Sequence, residues 1–172
     1  AGAELVEEPA EREKLARLNA EAGRKAKASA AYRSAAAYFS LAFSLFPGDL
    51  WEADYSLAFS LGMDRALCEL MSGNGAEARR LMEDVLPRAR DRLHMMAAYH
   101  LKSDFLLGTG ESVASGTTFL ECLERLGVPI SPHPTEEEIE AAYQEVQAVL
   151  AHRSVEAIAE LPLVTDPYIQ AL

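Results

Sequence analysis

The chain has 172 residues, 49% of them hydrophobic, and a formal net charge of −11 at pH 7. This length corresponds to one domain or to about four short repeats, and no apolar run approaches the ~20 residues that a membrane-spanning helix needs. Acids and bases nearly balance over residues 1–110, whereas residues 111–172 hold eleven acids against Arg125 and Arg153. This distribution argues against nucleic acid or an anionic membrane as a partner. A solvated helix face accounts for the acidic end, and a docking surface for a basic partner is the alternative.

The beginning of the chain and its cysteines indicate the cellular setting. Glu4, Glu7 and Glu8 stand where a secretory signal peptide would need bases, so we expect a cytoplasmic protein. The first residue is alanine rather than methionine, which indicates an excerpt of a longer protein. Cys68 and Cys122 are too few and too far apart for a disulfide framework or a CxxC site, and we expect two buried thiols.

Apolar residues recur every three or four positions along the chain, which predicts an all-α protein. A first helix is expected over about residues 8–27 and a second over about 30–45, ending at Pro47-Gly48. Asp49 then caps a third helix that runs to about Met71, with Glu52 as the returning half of a capping box.

The next predicted elements follow the same pattern of helix and short turn. Gly73 takes a left-handed conformation after the third helix, and Asn74 caps a fourth helix that breaks near Pro87. Further helices are expected over about 90–107 and 111–126, the latter stopped by Gly127-Val128-Pro129. Thr135 and Glu138 form a capping box that opens a helix to about residue 151. A short helix over 154–160 and a helix start at residues 165–167 complete the chain.

Helix, turn and helix recur three times, and small residues mark where each pair of helices crosses. The segment ALCELMSGNGAEARRLMEDVL resembles the tetratricopeptide pattern, with Ala78 five residues after the turn glycine. Ala35 and Ala114 take the equivalent position in the other copies, at intervals of 43 and 36 residues. We therefore predict a tetratricopeptide-like α/α superhelix, a solenoid of helix pairs. It forms a single helical-repeat domain with pairs over 8–47, 49–87 and 90–127 and C-terminal helices over 135–161; a plain antiparallel bundle is the alternative.

The sequence offers little chemistry. It contains no phosphate loop, metalloprotease or nucleophile-elbow motif, and we expect no catalytic residue, no cofactor and no metal. His100 lies in AAYHLKSDFLLG, which is similar to the phosphate-accepting helix of histidine phosphotransfer domains. Those domains carry a lysine three residues after the histidine, whereas Lys102 follows His100 by two and faces about 200° away. A histidine at the edge of the core, beside Tyr99, is the preferred interpretation.

The first helix of each pair faces inward in tetratricopeptide-like solenoids, and this predicts a binding groove. Arg24, Lys25 and Lys27 form a small basic cluster that either borders this groove or is plain surface. The groove interpretation selects basic, apolar and small polar residues at helical spacing, although such apolar residues are more often core. They are Arg24, Lys27, Met63, Leu67, Met71, Met96, Tyr99 and Ser103.

Four segments together resemble the helical-repeat region of very large, mostly bacterial signalling ATPases. They are AGRKAKASAAYRSAAAYF, GMDRALCELMSGNGAEARRLM, ERLGVPISPHPTEEEIEAAYQEV and LPLVTDP. Members of this family place a serine/threonine-kinase-like domain first and an AAA-type signal-transduction ATPase second. The helical repeats follow, often with a GAF domain and a sensor histidine kinase of the two-component type. None of the family's catalytic residues falls in this segment.

The resemblance implies a non-enzymatic module that couples partner or ligand sensing to kinase or ATPase output. Its partners would be proteins or adjacent domains of the same polypeptide, and an exposed terminal repeat would allow a homodimer. A free-standing tetratricopeptide-like adaptor is the alternative, and a histidine phosphotransfer domain is a third hypothesis.

Overall fold

The computed structural model describes residue 6, residues 8–150, and residues 157, 160, 162–166 and 170. Eight α-helices and one 3-10 helix lie in these residues, which contain no strand, so the all-α prediction is confirmed. In chain order they are α1 (Pro9–Ala28), α2 (Tyr32–Leu45), α3 (Leu50–Ala53), α4 (Tyr55–Met71), α5 (Gly75–Val85), the 3-10 helix (Leu86–Arg88), α6 (Arg92–Gly108), α7 (Ser112–Arg125) and α8 (Glu136–Leu150).

The chain divides into two compact units, Ala1–Cys122 and Leu123–Leu172. The first unit contains three antiparallel helix pairs, called here the first hairpin (α1 and α2), the second hairpin (α4 and α5) and the third hairpin (α6 and α7 as far as Cys122). A buried cluster that includes Phe39, Ala42 and Leu61 joins the first hairpin to α4. A second cluster, which includes Met82 and Phe105, joins α4, α5 and α6. Burial of these apolar side chains stabilises the first unit.

All three hairpins turn through one residue in the left-handed region: Ala30 with φ 56°, Gly73 with φ 81° and Gly110 with φ 83°. In each turn the N–H of the following residue donates to the carbonyl five residues back, as Asn74 does to Glu69 at 2.9 Å. This is the Schellman arrangement, which pairs carbonyls at the end of the first helix that would otherwise lack partners. The left-handed Gly73 was predicted, whereas Ala30 was expected to begin α2 and instead lies outside it.

A pair of small buried residues lies at the crossing of each hairpin, seven residues before and five residues after the left-handed residue. The pairs are Gly23 and Ala35, Ala66 and Ala78, and Ser103 and Ser115. The prediction of Ala114 as the third copy of this position is wrong, because Ala114 is exposed and Ser115 is buried. The corrected interval from Ala78 is 37 residues, one more than expected.

One predicted helix and one predicted capping bond differ from the structure because the side chains make other hydrogen bonds. The single helix from Asp49 to Met71 is divided at Asp54, whose carboxylate accepts from the Leu57 N–H at 3.1 Å and starts α4 afresh. Asp49 caps α3 as predicted, accepting from the Trp51 N–H at 2.8 Å. Asn74 makes no side-chain cap; its amide donates to Glu69 Oε2 at 2.9 Å instead.

The second unit contains α8, which starts where the sequence predicted. The Thr135 N–H donates to Glu138 Oε2 at 2.7 Å, and the Glu138 N–H donates to Thr135 Oγ1 at 3.2 Å. These reciprocal bonds are the predicted capping box. Of the short helix expected over 154–160, all but residues 157 and 160 lie outside the described residues.

Candidate interaction surfaces

The eight residues predicted to border a groove take four different environments. Met96, Tyr99 and Ser103 are buried, Met63 and Leu67 are half-buried against the cluster that joins α4, α5 and α6, Lys27 is half-buried in an ion pair, and Arg24 and Met71 are exposed. Ser103 Oγ lies 2.6 Å from Ser115 Oγ, and Tyr99 Oη donates to Glu121 Oε1 at 2.6 Å. Ser103 and Tyr99 therefore join α6 to α7 inside the third hairpin.

Counting back from the turn residues aligns α6 with α4, which the sequence prediction did not do correctly. Leu67 lies six residues before Gly73, and the same step back from Gly110 reaches Asp104 rather than Ser103. Leu70 corresponds in the same way to Leu107. Asp104 and Leu107 are both exposed. The surface of α6 that corresponds to the predicted groove residues of α4 is therefore one position further along the chain.

We define the first-helix face as the set of matching positions on α1, α4 and α6, counted back from each turn. It comprises Arg24, Leu67 and Asp104, six residues before the turn residues, and Lys27, Leu70 and Leu107, three residues before them, together with the adjoining Met71 at the end of α4. Lys27 Nζ donates to Asp64 Oδ1 at 2.5 Å, which ties α1 to α4. Leu70 packs on the cluster that contains Leu101 of α6. The face is basic on α1, apolar on α4 and mixed on α6.

Most of the predicted basic cluster is already neutralised. Lys25 Nζ donates to Glu21 Oε1 at 2.8 Å, and this hydrogen bond raises the pKa of Lys25 while lowering that of Glu21. Lys27 is paired with Asp64. Arg24 is exposed and has no ion-pair partner within 4.0 Å in the described part of the chain. Arg24 is therefore the cation of this cluster with the greatest freedom to meet an acidic group.

Sequence reasoning missed a cluster of aromatic and basic side chains where α3, α4 and α6 meet. The rings of Phe59 and His94 stack with centroids 4.2 Å apart, and Tyr55 Oη lies 2.9 Å from His94 Nδ1. The Arg90 guanidinium lies 4.5 Å above the Tyr55 ring, and the Arg90 N–H donates to Tyr55 Oη at 2.9 Å. The signal for this cluster in the sequence is the spacing of four residues between Trp51, Tyr55 and Phe59. The cluster holds the start of α6 against α4 through stacking and a cation–π contact.

The described residues offer little for catalysis. They contain no group of three His, Cys, Asp or Glu side chains placed to hold a metal ion. Cys68 and Cys122 are buried, as predicted, and burial raises the pKa of the Cys68 thiol to about 11, which disfavours the reactive thiolate. His100 was expected at the edge of the core beside Tyr99. Its side chain is instead 67% exposed, lying 3.5 Å from Asp104 Oδ2 and edge-on to Phe119. None of the described helices is long and apolar enough to span a bilayer.

Comparison with known proteins gives one informative similarity. No protein-family profile matches the chain, and no solved structure matches it significantly. The chain is 34% identical over 103 residues to hybrid signal transduction histidine kinase G of Dictyostelium discoideum. The matched region covers 55% of this chain and 3% of that kinase. A segment similar to this one therefore occurs inside a much larger signalling kinase.

Proposed function

We propose that this chain is a non-enzymatic interaction and signal-transmission module, built of tetratricopeptide-like helix pairs, within a larger signalling protein. The similarity to a small part of a hybrid histidine kinase carries this proposal. The repeated hairpins support it, because units that share a turn and a crossing can stack side by side and cover one another's apolar faces.

The first-helix face is the proposed binding surface. Arg24 offers an exposed guanidinium, while Met71 and Leu107 are each 53% exposed and apolar. A partner segment with a carboxylate next to large apolar side chains would pair with Arg24 and cover Met71 and Leu107. Because the Lys27–Asp64 ion pair crosses from the first hairpin to α4, a partner that displaces Asp64 from Lys27 would shift one hairpin against the next. Such a shift is the proposed route by which binding reaches neighbouring domains.

The proposal is tested in the natural polypeptide that contains this chain. The double variant Met71→Asp and Leu107→Asp should uncouple kinase or ATPase output from its stimulus while the basal output stays the same. Leu18→Asp and Val113→Asp serve as the matched control, since both residues are exposed and apolar but lie outside the first-helix face. Regulation that persists in the first variant, or that is lost equally in the control, would refute this surface.

A free-standing adaptor is distinguished by the size of the natural protein. An antibody raised against this chain should detect a polypeptide far larger than 18.7 kDa. A band near that mass would instead support the adaptor.

The exposed imidazole of His100 is the observation that favours phosphotransfer as a second candidate. Incubation with a phosphorylated receiver domain tests it directly. We expect no acid-labile phosphate on the chain, since Lys102 does not share the face of His100. Label that appears and is lost in His100→Gln would establish phosphotransfer instead.

A further inference from the structure

Helix α8 carries an exposed apolar stripe. Ile139, Tyr143, Val146 and Val149 are each more than half exposed, and α8 has no buried residue. Together with Ala142 and Leu150, these residues recur at spacings of three and four, which places them along one side of the helix. The capping box at Thr135 and Glu138 fixes where this helix begins. The stripe is therefore a defined surface on a helix whose first residue is fixed by the capping box.

The edges of the stripe are acidic. Helix α8 contains five glutamates and no lysine or arginine. Glu138 and Glu145 stand seven residues apart along one edge of the stripe, and Glu136 stands on the other edge. Glu140 lies further from the stripe, where it accepts a hydrogen bond from Gln144 at 2.6 Å. An apolar strip between carboxylates is complementary to an apolar strip between cations.

We propose that this stripe docks a basic amphipathic helix of a partner protein, one that presents aliphatic side chains between lysines or arginines. This inference concerns a different unit from the first-helix face and does not depend on it. A second copy of the chain is a poorer occupant, because it would place Glu138 and Glu145 near like charges. The stripe also spans only two heptads, whereas self-sufficient coiled coils sustain about three or four. Charge complementarity therefore selects a basic helix over a second copy of α8.

The test uses the complete 172-residue chain and two fluorescent helical peptides of the same length as α8. Both peptides carry the same leucine stripe, flanked by lysines in one and by glutamates in the other. We expect saturable binding of the lysine peptide, weakened by added salt, and no binding of the glutamate peptide. The double variant Ile139→Ser and Val146→Ser should weaken binding by at least about tenfold, because it removes apolar surface from the stripe.

A matched pair of charge reversals separates docking on the stripe from general attraction to an acidic chain. Glu145→Lys borders the stripe and should weaken binding several-fold, whereas Glu137→Lys, on the side of α8 opposite the stripe, changes net charge equally and should weaken it less than twofold. Circular dichroism should show equal helix content in these variants, since the substituted side chains are exposed. Equal effects of the two reversals, binding of the glutamate peptide, or failure of the lysine peptide would overturn the proposal. So would a homodimer that the serine variant dissociates in sedimentation measurements. The first-helix variants should bind the lysine peptide normally, so failure here does not bear on the proposed function.

Discussion

The first and second hairpins share a turn and a crossing but fill the crossing differently. In the first hairpin, Gly23 lies beneath the Phe39 ring, so a Cβ at Gly23 would meet Phe39 Cε1 at 2.5 Å. In the second hairpin the equivalent residues are Ala66 and Met82, both buried in one cluster. A larger side chain on one helix is therefore matched by a smaller one on the other. Close packing requires the two volumes to be complementary rather than either residue to be fixed.

The two hairpins also differ at their turns and edges. The first turns through Ala30 and the second through Gly73, both left-handed. The second hairpin adds an ion pair across its helices, from Arg65 Nη2 to Glu77 Oε1 at 2.8 Å. Small side chains, Ala22 and Ser34, occupy the equivalent positions in the first hairpin. At these two positions the first hairpin thus has no ion pair, and its helices are joined instead by packing and by the Arg12 guanidinium, which donates to the Ser44 carbonyl oxygen at 3.1 Å.

The largest effect is expected where the first hairpin is filled by its aromatic ring. Phe39→Ala removes a fully buried ring and should lower the free energy of unfolding by about 3–5 kcal/mol. Urea denaturation followed by circular dichroism measures this. Tyr38→Ala is the control on the same helix, because Tyr38 is 41% exposed, and its effect should be far smaller. Similar losses at both positions would mean that the register of α2 is misplaced.

The volume argument predicts that a clash introduced at Gly23 can be relieved at Phe39. Gly23→Ala should lower the free energy of unfolding by about 1–3 kcal/mol, although alanine is the better helix former. Adding Phe39→Met reproduces the alanine and methionine of the second hairpin and should recover most of the loss.

Gly116→Ala is the matched control for Gly23→Ala. Gly116 also lies within a helix, but a Cβ there would meet nothing within 4 Å. The substitution should be neutral or stabilising by up to about 1 kcal/mol. Strictly additive losses in the Gly23 and Phe39 double-mutant cycle would contradict complementary packing.

The sequence predicted the helices well because their signals are local. Apolar spacing, proline and glycine placed most helices within two residues of their observed ends. Prediction from the sequence failed where the deciding contact was between helices or where two local signals competed. Ala30 gave no sign of a left-handed turn. On α6 the position equivalent to Leu67 is Asp104 rather than the predicted Ser103, because it is set by the distance to Gly110 and not by apolar spacing within the helix. The aromatic cluster around His94 requires α4 and α6 to meet, which spacing within one helix cannot show.

The third hairpin extends the comparison with a polar pair at the crossing. Ser115→Ala would remove the 2.6 Å hydrogen bond between the two buried hydroxyls and leave Ser103 Oγ only the Ser115 carbonyl oxygen at 3.5 Å, which should cost about 1–3 kcal/mol. Replacing both serines with alanine reproduces the Ala66 and Ala78 pair of the second hairpin and should cost much less than the single change. Thermal denaturation of the three variants measures the coupling. If the double variant is at least as unstable as Ser115→Ala, the hydrogen bond between the two serines does not account for the loss of stability.

Exchanging the turn residues should shift stability in opposite directions. Ala30→Gly removes the steric cost of a left-handed alanine, offset in part by the flexibility of glycine in the unfolded chain. It should therefore stabilise the chain by up to about 1 kcal/mol. Gly73→Ala introduces the same steric cost and should destabilise by about 1 kcal/mol. Denaturant midpoints compared at unchanged slope measure both effects. Shifts of the same sign would mean that the two turns are not equivalent.

The smallest effect concerns the ion pair that joins the two helices of the second hairpin. A hydrogen bond from Arg80 lowers the pKa of Glu77 below its ordinary value of 4.5, helped by the charges of Arg80 and Arg65 and opposed by burial. Since the folded chain binds this proton less tightly than the unfolded chain, Glu77 contributes stability above the unfolded pKa. That stability is lost as the pH falls through the folded pKa.

Glu77→Gln should therefore cost less than about 1 kcal/mol at pH 7, and the difference from the wild type should shrink to nothing once Glu77 is protonated in both states. Glu83→Gln is the control on α5, because Glu83 is exposed and lacks an ion pair in the described part of the chain. If Glu77→Gln loses as much stability in acid as at pH 7, the side chain stabilises the fold through packing rather than charge. The ion pair would then not distinguish the second hairpin from the first.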